Sequence, residues 1–135
     1  MLQFIMTNEE KIKYWVDLSN NDFVVAETLL KNGHNLYAGY MCHQAIEKIF
    51  KGYYIKIKND TPPYKHDLEY LAQQSGLYNL FNEKQIFFLE TLNPLNIEAR
   101  YPNYKNKTAQ YLTGEKTQSI FEQTKELLKW TKEKM

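Results

Sequence analysis

The first half of the chain carries its apolar residues at 3.6-residue spacing over two long segments with a single break between them. No other feature restricts the fold as much. From Asn8 to Lys31, the residues Ile12, Trp15, Ser19, Asp22, Ala26 and Leu29 fall on one stripe, flanked by Val16, Phe23 and Leu30. That period predicts an amphipathic helix. Asn8 is the expected N-cap, with Glu9 and Glu10 placed where carboxylates meet the positive end of the helix dipole. Asn32-Gly33 supplies a left-handed stop. A second helix is predicted from Leu36 to Ile57. Along it Ala38, Cys42, Ala45, Ile49 and Gly52 form a line of mostly small side chains, so another helix can come close, and Tyr37, Tyr40, Met41, Tyr53 and Ile55 widen the apolar surface.

The stretch from Lys58 to Tyr64 holds Pro62 and Pro63, which fix the backbone and forbid a helix. A short third helix is expected from His66 to Gln74, with Leu68, Leu71 and Ala72 inward and Ser75-Gly76 as its end. Asn82 caps a fourth, with Gln85 completing a capping box, and Ile86, Phe87, Leu89 and Leu92 are its expected core contacts. Asn93-Pro94 ends it, and residues 93–107 show no clear period. A last helix begins near Thr113 with the stripe Thr117, Ile120, Phe121, Thr124, Leu127, Leu128 and Thr131. Four or five helices and no strand predict an all-α, up-and-down antiparallel four/five-helix bundle, a single domain over residues 1–135.

Composition narrows the function. Lys+Arg 17 against Asp+Glu 16 gives a net charge of +1, so no global field draws the chain to nucleic acid or to an acidic membrane, and any anion site is local. The lone Cys42 excludes an intrachain disulfide and a multi-thiolate zinc centre, and His34, His43 and His66 lack metal-ligand spacing, so neither metal nor cofactor is expected. The Gly-rich phosphate loops and the G-x-S-x-G elbow are missing. With no apolar run long enough for a span and no basic leader, a cytoplasmic protein without membrane contact is expected. The 11 Tyr and 7 Phe exceed what a small bundle readily buries and point to a homodimer, since interfaces favour aromatic residues.

Four polar positions stand out. Asp22 lies within the first stripe; it either sits at the stripe's edge or enters the core, where it needs a cation. Gln44, Lys48 and Lys51 share a face of the second helix, and Glu47 precedes Lys51 by four residues, the favourable order for an ion pair. This ledge is either a solvated face or a cradle for phosphate. Arg100 is the only arginine, and its rigid fork suits bidentate contact with phosphate or a pinning salt bridge to Asp22 or Glu47; Tyr101 can stack and Pro102 stiffens the segment. His66, at the start of a helix, is either a cap or an anion contact.

Three segments together resemble one family: residues 38–52, which include His43-Gln44-Ala45-Ile46-Glu47-Lys48, then Lys65-His66-Asp67-Leu68-Glu69-Tyr70-Leu71, then Ala99-Arg100-Tyr101-Pro102. In that order they look like the HEPN domain, the higher-eukaryote and prokaryote nucleotide-binding domain, over about residues 8–133. The resemblance implies a helical bundle that is usually homodimeric. It also implies, for many bacterial and archaeal members, action beside a minimal nucleotidyltransferase, often as a toxin–antitoxin pair. Some members are metal-independent endoribonucleases with an Arg-x4–6-His motif. Counted from Arg100, the corresponding positions are Lys105, Asn106 and Lys107, so that motif is absent and no catalytic residue is assigned. The sequence therefore predicts a binding module for a nucleotide or an RNA phosphate. Its ligand residues are Arg100, Tyr101, Lys48, Lys51 and His66, supported by Asp22, Gln44 and Glu47. The alternative is an endoribonuclease with a rearranged site that uses His66 or His43 with Arg100.

Overall fold

The computed structural model describes residues 5–96 and 102–135, without the side chains of 102–106. Among the described residues every regular element is helical: α1 (Asn8–Lys31), α2 (Asn35–Lys58), α3 (Leu68–Ser75), α4 (Glu83–Leu92), α5 (Pro102–Tyr111) and α6 (Gly114–Glu133), with short 3-10 turns at Leu77–Leu80 and Asn93–Leu95. The bundle class predicted from periodicity is the one observed. One further helix, α5, starts at Pro102, whose fixed φ suits a first helical position even though the stretch lacks an apolar period.

The ends of the helices follow their chemistry with some displacement. The N-cap of α1 is Thr7 rather than Asn8: its hydroxyl accepts from Glu10 N while the Glu10 carboxylate accepts from Thr7 N, a full capping box. Asn82 and Gln85 form the same box on α4 as expected, and Thr113 caps α6. Gly33, at φ 78°, turns the chain after α1 into α2.

Helix α2 is the axis of the fold, in contact with every other α-helix. Residues Cys42 to Glu47 are all buried, so for more than a full turn the helix has neighbours on every side. The small-residue line explains how. Ser19 Oγ of α1 donates to Ala45 O of α2 at 2.7 Å, and a Cβ added at Gly52 would touch Trp15 Cβ of α1 and Met135 Cε, both at 3.4 Å. Helix α6 lies beside α2 in the same direction, with Thr124 near Cys42 and Met135 near Gly52. Its inward threonines satisfy their own hydroxyls on the preceding turn: Thr117 on Thr113 O, Thr124 on Ile120 O and Thr131 on Leu127 O, at 2.7, 2.7 and 2.8 Å. Phe23 of α1 stacks on Phe121 of α6 at 4.6 Å between ring centroids.

The core face of α4 departs from expectation. Phe87 is 68% exposed, while Phe88, Leu89 and Leu92 are buried. Residues 88, 89 and 92 share one helical face and 87 points away from it, so both phenylalanines cannot turn inward. Cys42 is fully buried, and loss of solvation pushes its thiol pKa up to about 12, against a contact with Thr124 that favours the thiolate. In the native protein Cys42 is therefore expected to ignore a thiol-specific disulfide reagent, and to react only at the rate at which the whole bundle opens. Rapid labelling under native conditions would contradict this packing.

Candidate functional site: a carboxylate shared by a lysine and a histidine

Two positively charged residues of α2 turn to different carboxylates. Lys48 Nζ reaches back to Asp22 Oδ2 on α1 at 3.0 Å and to Gln44 Oε1 at 3.4 Å, and Gln44 Nε2 donates to Tyr40 Oη at 2.6 Å. Asp22 thus stands at the edge of its stripe, with a cation. Lys51 Nζ goes to Glu47 Oε2 at 3.2 Å and is 5% exposed, so the expected solvated or ligand-facing ledge is not one surface. It divides into an Asp22–Lys48–Gln44 group and a Glu47–Lys51 group because each ammonium bends toward a separate acid.

Glu47 is the centre of the second group. It is 2% exposed, and it accepts from Lys51 on one oxygen and meets His66 Nδ1 at 2.9 Å on the other. His43, one turn earlier on α2, has Nδ1 4.0 Å from the same Oε1. Residues 43, 47 and 51 lie at successive four-residue steps, so the helix itself stacks the imidazole, the carboxylate and the ammonium along one line. A carboxylate this deep is stable only with partners on both oxygens. Lys51 Nζ also lies 5.4 Å from the Trp15 ring centroid and 5.9 Å from that of Tyr64, so aromatic faces cover the ammonium. Tyr64, 92% exposed, stands beside His66 with ring centroids 6.1 Å apart.

The position of His66 corrects the sequence reading. Helix α3 starts at Leu68, capped by Asp67, whose Oδ1 accepts from Glu69 N and Tyr70 N at 3.0 and 3.2 Å. His66 lies before the cap, outside the first turn, so the helix dipole does not set its role. Its ring instead crosses to α2. Asn93 secures this arrangement, donating to Asp67 Oδ1 at 3.1 Å and accepting from Leu68 N at 3.0 Å. The sequence marks Asn93 only as a helix stop, offers His43 only in the ribonuclease alternative, and does not single out Trp15 or Tyr64 as site residues. The four-residue spacing of His43, Glu47 and Lys51 is the signal that could have placed His43 beside Glu47. Nothing in the local sequence points to the others. Arg100 and Tyr101 lie outside the described residues.

His43 is fully buried, and neither ring nitrogen has a hydrogen-bond partner of normal geometry among the described residues. Burial pulls its pKa down to about 4, against the upward pull of the Glu47 carboxylate and of the polar groups of Asn93 and the His66 backbone; a charged His66 ring adds to the downward side. Among the described residues no three His, Cys, Asp or Glu side chains are gathered to hold a metal ion. No described helix is long and apolar enough to cross a membrane.

The HEPN domain family model matches residues 12–135, and the chain belongs to that family. A solved structure, the crystal structure of TT1696 from Thermus thermophilus, superposes with a TM-score of 0.78 over 93% of this chain and 98% of that one, at 18% identity. At that identity the likeness shows the same helical fold. No curated protein matches the chain.

Two measurements check the site. Glu47→Ala leaves Lys51 buried without its partner and is expected to cost about 3–5 kcal/mol in denaturant unfolding. Asp22→Ala, at the more open pair, is expected to cost about 1 kcal/mol or less. Equal losses would contradict the central place of Glu47. The second measurement concerns pH. His43 binds its proton less readily folded than unfolded, so its contribution is complete above its ordinary value of 6.5 and is lost as pH falls from there toward about 4. Relative to His43→Leu, the wild type is expected to lose about 2 kcal/mol between pH 7 and pH 5. Parallel stability curves for the two proteins would show that His43 is not held neutral.

Proposed function

We propose that the chain is a HEPN binding module whose ligand is the phosphate of a nucleotide or of RNA, taken at the mouth where His66, Lys51, Trp15 and Tyr64 meet. The observation that carries this reading is the sharing of Glu47. One carboxylate is shared by a lysine and a histidine, so the Lys51 charge and the His66 ring stand together beside the loop. Tyr64 offers an exposed ring face for a base next to that charge, the pairing of stacking and cation that single-stranded nucleic-acid sites use. Arg100 and Tyr101 complete the ligand set on the strength of the sequence. Lys48, held by Asp22 and Gln44, serves the α1–α2 contact in this reading and is not a ligand residue.

The module works as a homodimer and beside a minimal nucleotidyltransferase, in the manner of a toxin–antitoxin pair in the cytoplasm. Val24, Val25 and Tyr37 are large apolar side chains exposed on α1 and α2, which a second copy can cover. The whole of residues 1–135 forms one domain.

Isothermal titration with ATP, GTP and a short single-stranded RNA tests the ligand. Saturable heat is expected with at least one of them. Tyr64→Ala should weaken it by about 1–3 kcal/mol, the range for loss of one stacked base. His66→Gln should weaken it as well, through loss of the ring that stands beside Tyr64. No heat from any of the three, or equal affinity in wild type and both variants, would remove the proposal. Sedimentation at micromolar concentration is expected to give twice the 16.2 kDa chain mass, and a monomer alone would contradict the dimer.

A further inference from the structure

The three histidines of this chain occupy three different environments, and only one of them is built as a nucleophile. His43 is sealed inside α2. His34 stands exposed at the N-cap of α2 with no side-chain capping bond. His66 combines access with orientation: its side chain is 49% exposed, Nδ1 is fixed on Glu47 Oε1 at 2.9 Å, and Nε2 has no hydrogen-bond partner among the described residues. A buried carboxylate on Nδ1 selects the tautomer with the proton on that nitrogen, which leaves the lone pair on Nε2. The same carboxylate stabilises the positive charge that the ring acquires when Nε2 forms a bond. Lys51 on the other carboxylate oxygen holds Glu47 in place, and lends its positive charge to the neighbourhood of an incoming phosphate.

We propose that His66 is a phosphoryl-acceptor residue, with Nε2 taking the phosphoryl group from a small phosphoramidate or acyl-phosphate donor. With phosphoramidate protonated on its own nitrogen, the Nε2 lone pair attacks phosphorus, the new N–P bond forms as the donor's P–N bond breaks, and neutral ammonia leaves with the electron pair of that bond and the three protons it already carried; with an acyl phosphate the P–O bond breaks and the carboxylate leaves with its electron pair. The Nδ1 proton stays between the ring and Glu47, so the product is a phospho-imidazolium facing a carboxylate. Charge and atoms balance without an oxidant, a reductant or a metal. Tyr64 flanks the ring, with centroids 6.1 Å apart, and no further group on this chain is required for the transfer. The inference rests on reading this mouth as a phosphate site and adds a covalent step to it.

The test uses the intact chain and its own internal reference. The protein is incubated with phosphoramidate and the acid-labile label is assigned residue by residue by mass spectrometry, with no nucleotide present. His66 is expected to be phosphorylated at least about tenfold faster than His34, a modest share of what an oriented histidine gains in general-base reactions. Glu47→Gln should bring His66 down to the His34 rate. Where that variant does not fold, the wild-type ratio of the two sites decides alone. Equal labelling of His66 and His34, or slower labelling of His66, overturns the proposal. If nucleotides bind in titration but the two histidines label equally, the covalent step falls and the binding reading stands. If His66 labels rapidly but no nucleotide binds, the acceptor stands and the nucleotide reading falls.

Discussion

One carboxylate with almost no access to water sets the terms for the rest of this molecule. Glu47 sits at the middle of the most enclosed helix, and an isolated charge there would be driven out or neutralised. It stays because Lys51 arrives from one turn along the same helix and His66 arrives from the loop before α3. The lysine contact is local and follows from spacing. The histidine contact ties a distant segment to α2, so the loop holding Pro62, Pro63 and Tyr64 takes its position from the same acid. Asn93, at the end of α4, closes the arrangement by clamping Asp67 and Leu68, the residues that follow His66.

The bundle makes that depth possible by letting helices come close. Ala45, Gly52 and Ser19 remove bulk where α1 crosses α2, and the serine hydroxyl uses a backbone carbonyl of α2 that is already in the helix. The threonines of α6 do the reverse. They bring polar atoms into the core but satisfy them on their own helix, so no cross-helix partner is needed. Two kinds of buried polar residue stand out among those described. Those that return their hydrogen bonds to their own or an adjacent backbone only shape the packing. His43, Glu47 and Lys51 have side chains whose chemistry is directed at one another, and they lie next to the one histidine that reaches solvent with a carboxylate behind it.

Much of the fold is legible in the chain, because periodicity and caps are local properties. The α1 stripe, the small-residue line of α2, the box at Asn82 and the stripe of α6 all follow from side-chain spacing alone. Phe87 is misread because two adjacent aromatics compete for one face, and only the angle to Leu89 and Leu92 decides between them. The site is half legible. The Glu47–Lys51 pair is a four-residue spacing, but its burial depends on how many helices gather around α2, which spacing does not report. The pairing of His66 with Glu47 spans 19 residues and a proline turn, and that of Asp22 with Lys48 spans 26, so neither follows from periodicity. The family resemblance groups these segments without saying which atoms meet.

The central claim is that Glu47 holds His66 with its proton on Nδ1 and its lone pair on Nε2. Long-range nitrogen–proton correlation spectra of uniformly nitrogen-labelled protein above pH 7 test it directly, since the two ring nitrogens differ widely in shift between protonated and unprotonated forms. The account predicts that His66 shows a protonated Nδ1 and an unprotonated Nε2, and that this preference disappears in Glu47→Gln. A His66 ring with its proton on Nε2, or a tautomer unchanged by the substitution, would contradict it.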